Sequence, residues 1–172
     1  LVIVSKHKKA ERSIKILFEE KKVKKTYLAY VKGKVNTRFM IDAPILKNSN
    51  FDEIKLKCVI NPRGKASQTI IEPLEYDEKR DITLIKAIPL TGRQHQIRVH
   101  LFHGKHPIIG DPIYGVDVRV ADDYLNGKLS VKDRIKFTGA SRLMLHANSV
   151  EFVYKNCFKI TSKDKFNFSS HL

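Results

Sequence analysis

The segment 89–100, with the sequence P-L-T-G-R-Q-H-Q-I-R-V-H, concentrates two arginines, two histidines and two glutamines that could do chemistry. Arg98 is flanked by Ile97 and Val99, so we expect its guanidinium to be partly buried. A buried guanidinium needs an anionic partner, because desolvating it unpaired costs several kcal/mol or so. No Asp or Glu occurs from position 86 to position 110. The partner must come from a distant segment or from a bound ligand, which is typical of a functional site.

A metal site is the first alternative for this region. Four histidines follow one another at spacings of five, three and three residues, namely His95, His100, His103 and His106. Imidazole is a common zinc ligand, but these spacings do not place three rings on one helical face with an acid. No H-E-x-x-H motif, G-x-S-x-G elbow or Gly-rich phosphate loop occurs. We therefore predict no metal.

The composition predicts one folded domain, residues 1–172, because 42% of the residues are hydrophobic. The 33 Lys and Arg outnumber the 18 Asp and Glu, and a net charge of +15 favours a polyanion as partner over a generally solvated basic surface. The sequence contains no basic amphipathic segment with aromatic anchors, so it does not indicate binding to a membrane surface. Cys58 and Cys157 lie far apart and predict a reducing compartment, so we expect a cytoplasmic protein.

Strand patterns outnumber helical ones along the chain. We predict strands at 1–4, 26–32, 37–46 with a break at Pro44, 54–60, 66–76 with a break at Pro73, 82–89, 142–154 and 157–161. We predict helices at 6–21 with Ser5 as cap, from 91 or 92 to 102, and at 118–126. We predict loops at 47–53, 61–65 and 77–81. We also predict a basic connection that runs up to Gly139 and an extended tail from Ser162. The pattern indicates an α+β domain with a largely antiparallel mixed sheet flanked by a few helices.

Three ordered motifs resemble the RluA family of RNA pseudouridine synthases. They are G-R-x-H-Q-I-R-x-H followed by H-P-I-I-G-D-P-I-Y-G at 92–115, K-T-Y-L-A-Y at 25–30, and R-L-M-L-H-A at 142–147. The resemblance covers nearly the whole chain. It implies the pseudouridine synthase fold and an isomerase of structured RNA, with ribosomal RNA as the expected substrate.

The resemblance also implies a mechanism without metal or organic cofactor. The N-glycosidic bond of a uridine breaks, the uracil turns and rejoins through C5, and the C5 proton leaves. Arg98 matches the arginine that orients the catalytic aspartate of the family, as a guanidinium fork can do, whereas by its residue type alone it could equally pair with a structural acid elsewhere in the chain. Tyr27 matches the active-site tyrosine, which can stack on the uracil and help to move the C5 proton. Tyr30 should face the other side of the strand and cannot share that role.

Further residues are candidates for substrate contact. His95 and Gln96 are expected to lie on one helix with Arg93 and to support the substrate pocket by hydrogen bonding, while Leu145 is either a pocket wall or plain core. Candidate RNA phosphate contacts are Arg93, Lys65, Lys105, Lys24 and Lys25. Lysines at 6–15 are better explained as a solvated helix face.

One departure from the family pattern matters more than the matches. The family carries its catalytic aspartate in an H-R-L-D segment, and no H-R-L-D occurs in these 172 residues. We expect that segment just upstream of Leu1 in a longer parent, so that this chain is a catalytic domain truncated on its N-terminal side and inactive by itself. The alternatives are a non-catalytic RNA-binding module and, less well supported, a metal-dependent RNA-processing enzyme. We expect a monomer.

Overall fold

The chain forms four helices and eight strands in the parts that the computed structural model describes, residues 1–47, 57–164 and 166–168. The helices are α1 (Lys8–Glu19), α2 (Gln96–His103), α3 (Val118–Leu125) and α4 (Val131–Thr138). The strands are β1 (Lys24–Lys32), β2 (Phe39–Asp42), β3 (Ile45–Lys47), β4 (Cys58–Ile60), β5 (Gln68–Asp77), β6 (Ile82–Pro89), β7 (Leu145–Tyr154) and β8 (Asn156–Thr161).

A six-stranded sheet in the order β2-β5-β6-β1-β7-β8 organises the molecule, and β3 pairs with β4 beside it. Every pairing among these strands is antiparallel. The predicted α+β class with a largely antiparallel sheet is therefore confirmed. Strand β6 lies between β5 and β1 and has no exposed residue, which agrees with its largely apolar sequence. None of the helices in the described ranges is long and apolar enough to cross a bilayer.

One face of the sheet carries the main core. Ala29 and Val31 of β1, Ile71 of β5 and Ile85 of β6 are fully buried there, and Leu101 of α2 packs against them. Alternate residues of β1 point to the opposite face. The ring of Tyr30 lies there, with its centroid 5.2 Å from that of Phe166 and 5.3 Å from that of Phe168. The sheet is thus covered on one side by α2 and on the other, in part, by the residues that follow β8.

Both predicted proline breaks are confirmed. Pro44 separates β2 from β3. At Pro73 the pairing between β5 and β6 shifts register, because proline has no N–H to donate to the ladder. A second shift occurs between Thr26 and Tyr27 in the pairing of β1 with β7, next to the residue predicted to touch the uracil.

The predicted strand at 1–4 is wrong. Leu1, Val2 and Val4 are exposed, and only Ile3 packs against the small cluster of Val23 and its neighbours. An apolar run forms a strand only where a neighbouring strand supplies hydrogen bonds, and no described strand pairs with this one. The prediction that Ser5 caps the first helix is also wrong, since the cap position of α1 is His7.

Helix α4 replaces the basic connection predicted before Gly139. The Ser130 hydroxyl accepts a hydrogen bond from the Asp133 N–H at 3.1 Å, and Gly139 ends the helix at a φ of 85°. A serine cap followed three residues later by an acid and a glycine after the last turn are standard end signals that the sequence analysis overlooked. Lys47, the first residue of the loop predicted at 47–53, is instead the last residue of β3. The rest of that loop and residues 54–56 of the strand predicted at 54–60 lie outside the described residues. The described tail residues 162–164 and 166–168 form no strand.

Candidate active site

Helix α2 begins later than its sequence predicts, and this changes where the arginine-rich motif lies. His95 has a φ of 55°, in the left-handed region, and Gln96 is the first helical residue. The Gln96 side-chain oxygen accepts hydrogen bonds from the Thr91 hydroxyl at 2.8 Å and from the Arg93 N–H at 3.0 Å. These bonds stabilise a loop in place of the first helical turn. Arg93, His95 and Gln96 therefore do not share a helix, contrary to prediction.

Two buried side chains fix α2 on the sheet. The Gln96 amide donates to the carbonyl of Gln68 at 2.9 Å and to the hydroxyl of Thr69 at 3.0 Å. His100, one turn further along, is fully buried, with Nδ1 2.9 Å from the Thr69 hydroxyl and Nε2 3.0 Å from the Ala43 carbonyl oxygen. Because both ring nitrogens already have partners, His100 serves packing and orientation.

Tyr27 stands on β1 between two alanines. Its cross-strand neighbours are Ala87 on β6 and Ala147 on β7, and such small side chains leave room for a ring. Leu145, two residues before Ala147, lies on the same face of the sheet. Burial raises the pKa of the Tyr27 hydroxyl, which keeps that hydroxyl protonated well above neutral pH.

A cleft of about 260 Å³ gathers these elements. Its lining residues are Lys25, Tyr27, Pro89, Thr91, Gly92, Arg93, His95, Gln96, Ile97, Arg98 and Leu145. It thus brings together both residues predicted to be catalytic, all three predicted for the substrate pocket, and two of those predicted to bind RNA. They come from β1, the end of β6, the loop before α2, the first turn of α2, and the start of β7.

The other three predicted RNA contacts lie elsewhere. Lys24 is on the same strand as Tyr27 but is exposed beside Glu151, with 3.5 Å between their charged atoms. Lys65 is exposed at the turn that forms an isolated bridge with Ile45. Lys105 follows the C-terminal end of α2, the end away from the cleft. Their RNA-binding role stays a prediction.

Arg98 finds its anionic partner in Asp111. Its Nε donates to Asp111 Oδ2 at 2.8 Å and its Nη2 to Oδ1 at 2.6 Å, a two-pronged ion pair. The Arg98 side chain is 13% exposed and that of Asp111 is 1% exposed. Burial by itself would lower the pKa of Arg98, but the bonds to Asp111 outweigh it and raise that pKa. Arg98 is therefore permanently charged and held in one orientation.

Asp111 also shapes the turn that contains it. Its Oδ1 accepts hydrogen bonds from the backbone N–H groups of Ile113 and Tyr114, at 2.9 and 3.0 Å. This aspartate lies in the G-D-P-I-Y-G motif, and its pairing with Arg98 was not predicted from the sequence. The available signal was that Asp111 is the first acid after a long stretch with none.

Tyr114 is a second supporting residue that the sequence analysis missed. The Arg98 guanidinium lies over its ring, 5.0 Å from the centroid. The Tyr114 hydroxyl accepts from the Cys58 N–H at 2.8 Å and lies 3.2 Å from His95 Nδ1. Burial and the neighbouring Arg98 charge lower the pKa of His95. His95 is thus neutral at physiological pH and oriented by Tyr114, so it can exchange hydrogen bonds with a substrate but adds no charge.

Within the ranges that the structure describes, no group of three or more His, Cys, Asp or Glu side chains is arranged to hold a metal ion. The chemistry of the cleft is that of a positive charge beside an aromatic ring and an apolar wall. Such a site can hold an anionic group and a planar base at the same time.

Comparison with known proteins identifies the family. A family model described as RNA pseudouridylate synthase matches residues 1–103. An uncharacterized RNA pseudouridine synthase of Helicobacter pylori strain J99 is 43% identical over 164 residues, which cover 94% of this chain and 54% of that protein. A ribosomal large subunit pseudouridine synthase C of Vibrio parahaemolyticus is 40% identical over 153 residues, 88% of this chain and 43% of that protein.

Solved structures show the same fold. Human RNA pseudouridylate synthase domain containing 1 aligns with a TM-score of 0.70 at 29% identity, covering 92% of this chain and 62% of that one. The chain therefore belongs to the RNA pseudouridylate synthase family, and the predicted pseudouridine synthase fold is confirmed. The chain spans about half the length of the curated relatives that it matches.

Proposed function

We propose that these 172 residues form most of the catalytic domain of an RNA pseudouridine synthase that isomerises uridines in structured RNA, with ribosomal RNA as the substrate class. The observation that carries this proposal is that Tyr27 and Arg98 line one cleft, together with the apolar wall of Leu145. The relatives named as ribosomal large subunit pseudouridine synthases support the choice of substrate.

The reaction rearranges the uridine without adding or losing atoms. The bond between ribose C1′ and uracil N1 breaks, a bond between C1′ and C5 forms, the C5 proton leaves, and N1 gains a proton. In our proposal the uracil enters the cleft after leaving its stack in the RNA. The Tyr27 ring stacks on it, and the Tyr27 hydroxyl assists the removal of the C5 proton.

Arg98 has a positioning role in this proposal. Its Nε and Nη2 are occupied by Asp111, while Nη1 takes no part in that pair. A catalytic aspartate approaching the cleft can accept a hydrogen bond from Nη1, so that one guanidinium bridges two carboxylates. Asp111 would then hold the fork while the second carboxylate reacts with the sugar or base.

The catalytic carboxylate is not among the residues of the cleft. The sequence contains no H-R-L-D segment, and the cleft is lined by no Asp or Glu of the described residues. We therefore propose that the 172-residue chain does not turn over by itself. The predicted cytoplasmic location, the monomeric state and the absence of metal and membrane partners remain predictions.

The decisive experiment is tritium release from RNA labelled at uracil C5. Two proteins are compared: the present chain and the same chain extended at its N-terminus through an H-R-L-D segment. Release by the extended chain alone is the expected result. Any tritium release by the present chain contradicts the proposed need for that aspartate. No release by either protein contradicts the isomerase function.

A non-catalytic RNA-binding module is the second candidate, and one observation favours it. Arg98 is already paired with Asp111, so this arginine needs no catalytic carboxylate as its charge partner. This candidate predicts RNA binding that weakens with salt, together with no tritium release from the extended chain.

A further inference from the structure

A second cleft, which we call the flanking cleft, lies beside the candidate active site and has a volume of about 320 Å³. Its lining residues are Phe18, Glu19, Lys21, Val23, Lys25, Pro89, Leu90, Thr91, Gly92 and Arg93. Five of them also line the candidate active site: Lys25, Pro89, Thr91, Gly92 and Arg93. A linear polymer with one unit in the first cleft can therefore place its next unit in the second.

Positive charge dominates the flanking cleft. Three of its lining residues are cationic, Lys21, Lys25 and Arg93, against one carboxylate, Glu19. Lys21 and Arg93 are exposed, although Arg93 Nε donates a hydrogen bond to the Ala66 carbonyl at 3.3 Å, and Lys25 is half-buried. Burial lowers the pKa of Lys25, because its ammonium gives up water without gaining a compensating charge. A phosphate in the cleft would supply that charge.

The flanking cleft also offers an apolar surface. Phe18 is 42% exposed and Leu90 is 41% exposed, a large fraction for side chains of this kind. The ammonium of Lys25 lies 5.5 Å from the centroid of the Phe18 ring. An exposed ring offers a stacking surface to a nucleobase, and the cation that lies over this ring can contact the phosphate of the same nucleotide.

Gly92 forms part of the wall that separates the two clefts. A Cβ at this position would meet the Lys25 ammonium at 3.5 Å. That distance is an ordinary contact, and Lys25 itself lines both clefts, so its charge can act on a phosphate that joins a nucleotide in one cleft to a nucleotide in the other.

We propose that the flanking cleft binds the nucleotide next to the target uridine in an unpaired stretch of RNA. The Phe18 ring stacks on the base, and the lysines and the arginine of the cleft contact the phosphate. The inference rests on the proposed function, since it takes the neighbouring cleft as the place of the target uridine. RNA fits better than a lipid or an acidic peptide because an exposed aromatic ring and three cationic side chains line the same cleft.

Binding of short RNA tests the inference. The probes are a fluorescent five-nucleotide RNA with a central uridine and two versions that are abasic immediately 5′ or 3′ of that uridine. Each is titrated into the wild-type chain and into Phe18→Ala. We expect Phe18→Ala to weaken binding of the intact RNA by roughly 5- to 100-fold. One of the two abasic RNAs should be weakened to a similar extent in the wild type, and Phe18→Ala should weaken it no further.

Two matched controls separate this contact from general effects. Ile16→Ala removes another α1 side chain that is also 42% exposed but lines neither cleft. Lys22→Ala removes a lysine that pairs with Glu20 at 2.7 Å, whereas Lys21→Ala removes one that lines the flanking cleft. Only Phe18→Ala and Lys21→Ala should weaken binding by more than about 2-fold, and Lys21→Ala should also reduce the salt dependence.

Three results would overturn the inference. The wild-type chain does not bind the intact RNA, or Phe18→Ala weakens the binding of both abasic RNAs as much as it weakens the binding of the intact RNA. The third result is that Ile16→Ala weakens binding as much as Phe18→Ala does. Tritium release by the extended chain is measured in parallel. If the extended chain releases tritium but the effects of Phe18→Ala and of the abasic changes are simply additive, only the flanking-cleft inference is contradicted. Non-additive effects of Phe18→Ala and one abasic change, without tritium release, would remove the isomerase function and leave the flanking cleft as a binding site for a nucleotide next to a bound, unmodified uridine.

Discussion

Asp111 holds Arg98 through two hydrogen bonds of 2.8 and 2.6 Å and uses the same carboxylate to accept two backbone N–H groups of its own turn. One acid thereby connects the turn after α2 to the charge that faces the candidate active site. Arg98 is consequently a rigid part of the scaffold, and any second carboxylate must adapt to its position.

Replacing Asp111 with Asn should destabilise the fold by about 3 kcal/mol, because it leaves a largely buried guanidinium without a charge partner. Urea unfolding measures this change. The double variant Asp111→Asn with Arg98→Met should lose much less than the sum of the two single variants, since no buried charge then remains unpaired. Additive losses would show that the pair contributes little.

Replacing Arg98 with Lys should remove most of the activity of the extended chain while the fold persists. Lysine keeps the charge, but its single ammonium nitrogen cannot replace the three fixed nitrogens of arginine. Two of those nitrogens donate to Asp111, and the third is proposed to donate to the catalytic aspartate. We expect a fall in tritium release of at least about 100-fold. Arg93→Lys is the matched control, since Arg93 is exposed on the same cleft, and it should alter release much less. Equal effects of the two changes would contradict the role assigned to Arg98.

Replacing Tyr27 with Phe keeps the ring and removes the hydroxyl. If the hydroxyl assists removal of the C5 proton, tritium release by the extended chain should fall by about 100-fold or more while RNA binding is retained. Tyr30→Phe is the control on the same strand, because Tyr30 packs on the other face of the sheet against Phe166 and Phe168. Unchanged release by Tyr27→Phe would restrict Tyr27 to stacking.

Stability should fall as the pH falls below the ordinary histidine range. Burial, with a smaller contribution from the charge of His103, lowers the pKa of His100 in the folded state. The unfolded state then binds more protons than the folded state once the pH drops below about 6.5, so the free energy of unfolding decreases there. One such group contributes at most about 1.4 kcal/mol per pH unit.

Urea unfolding between about pH 7.5 and about pH 5.5 measures this dependence. His100→Gln should flatten the curve, although it also removes the contacts to Thr69 and Ala43 and lowers stability at every pH. An identical slope in the wild type and in His100→Gln would contradict the prediction.

Local patterns predicted the elements whose signals lie within a few residues. The run at 82–89 coincides with β6, and 118–126 differs from α3 by a single residue, because periodic burial and turn residues act locally. Helix α4 was equally readable from Ser130 and Gly139. The failed strand at 1–4 shows the opposite case, since a strand depends on a partner that its own residues do not specify.

The candidate site could likewise be predicted only in part from the sequence. The resemblance of its motifs to a known family singled out Tyr27 and Arg98 as candidates, with His95, Gln96 and Leu145 beside them, and the structure places all five in one cleft. Tertiary structure alone decided that Gln96 orders the loop before α2, that Asp111 pairs with Arg98, and that a second cleft adjoins the first. The physical reason is that a side chain's charge and shape are local properties, whereas its partners are set by the packing of segments distant along the chain.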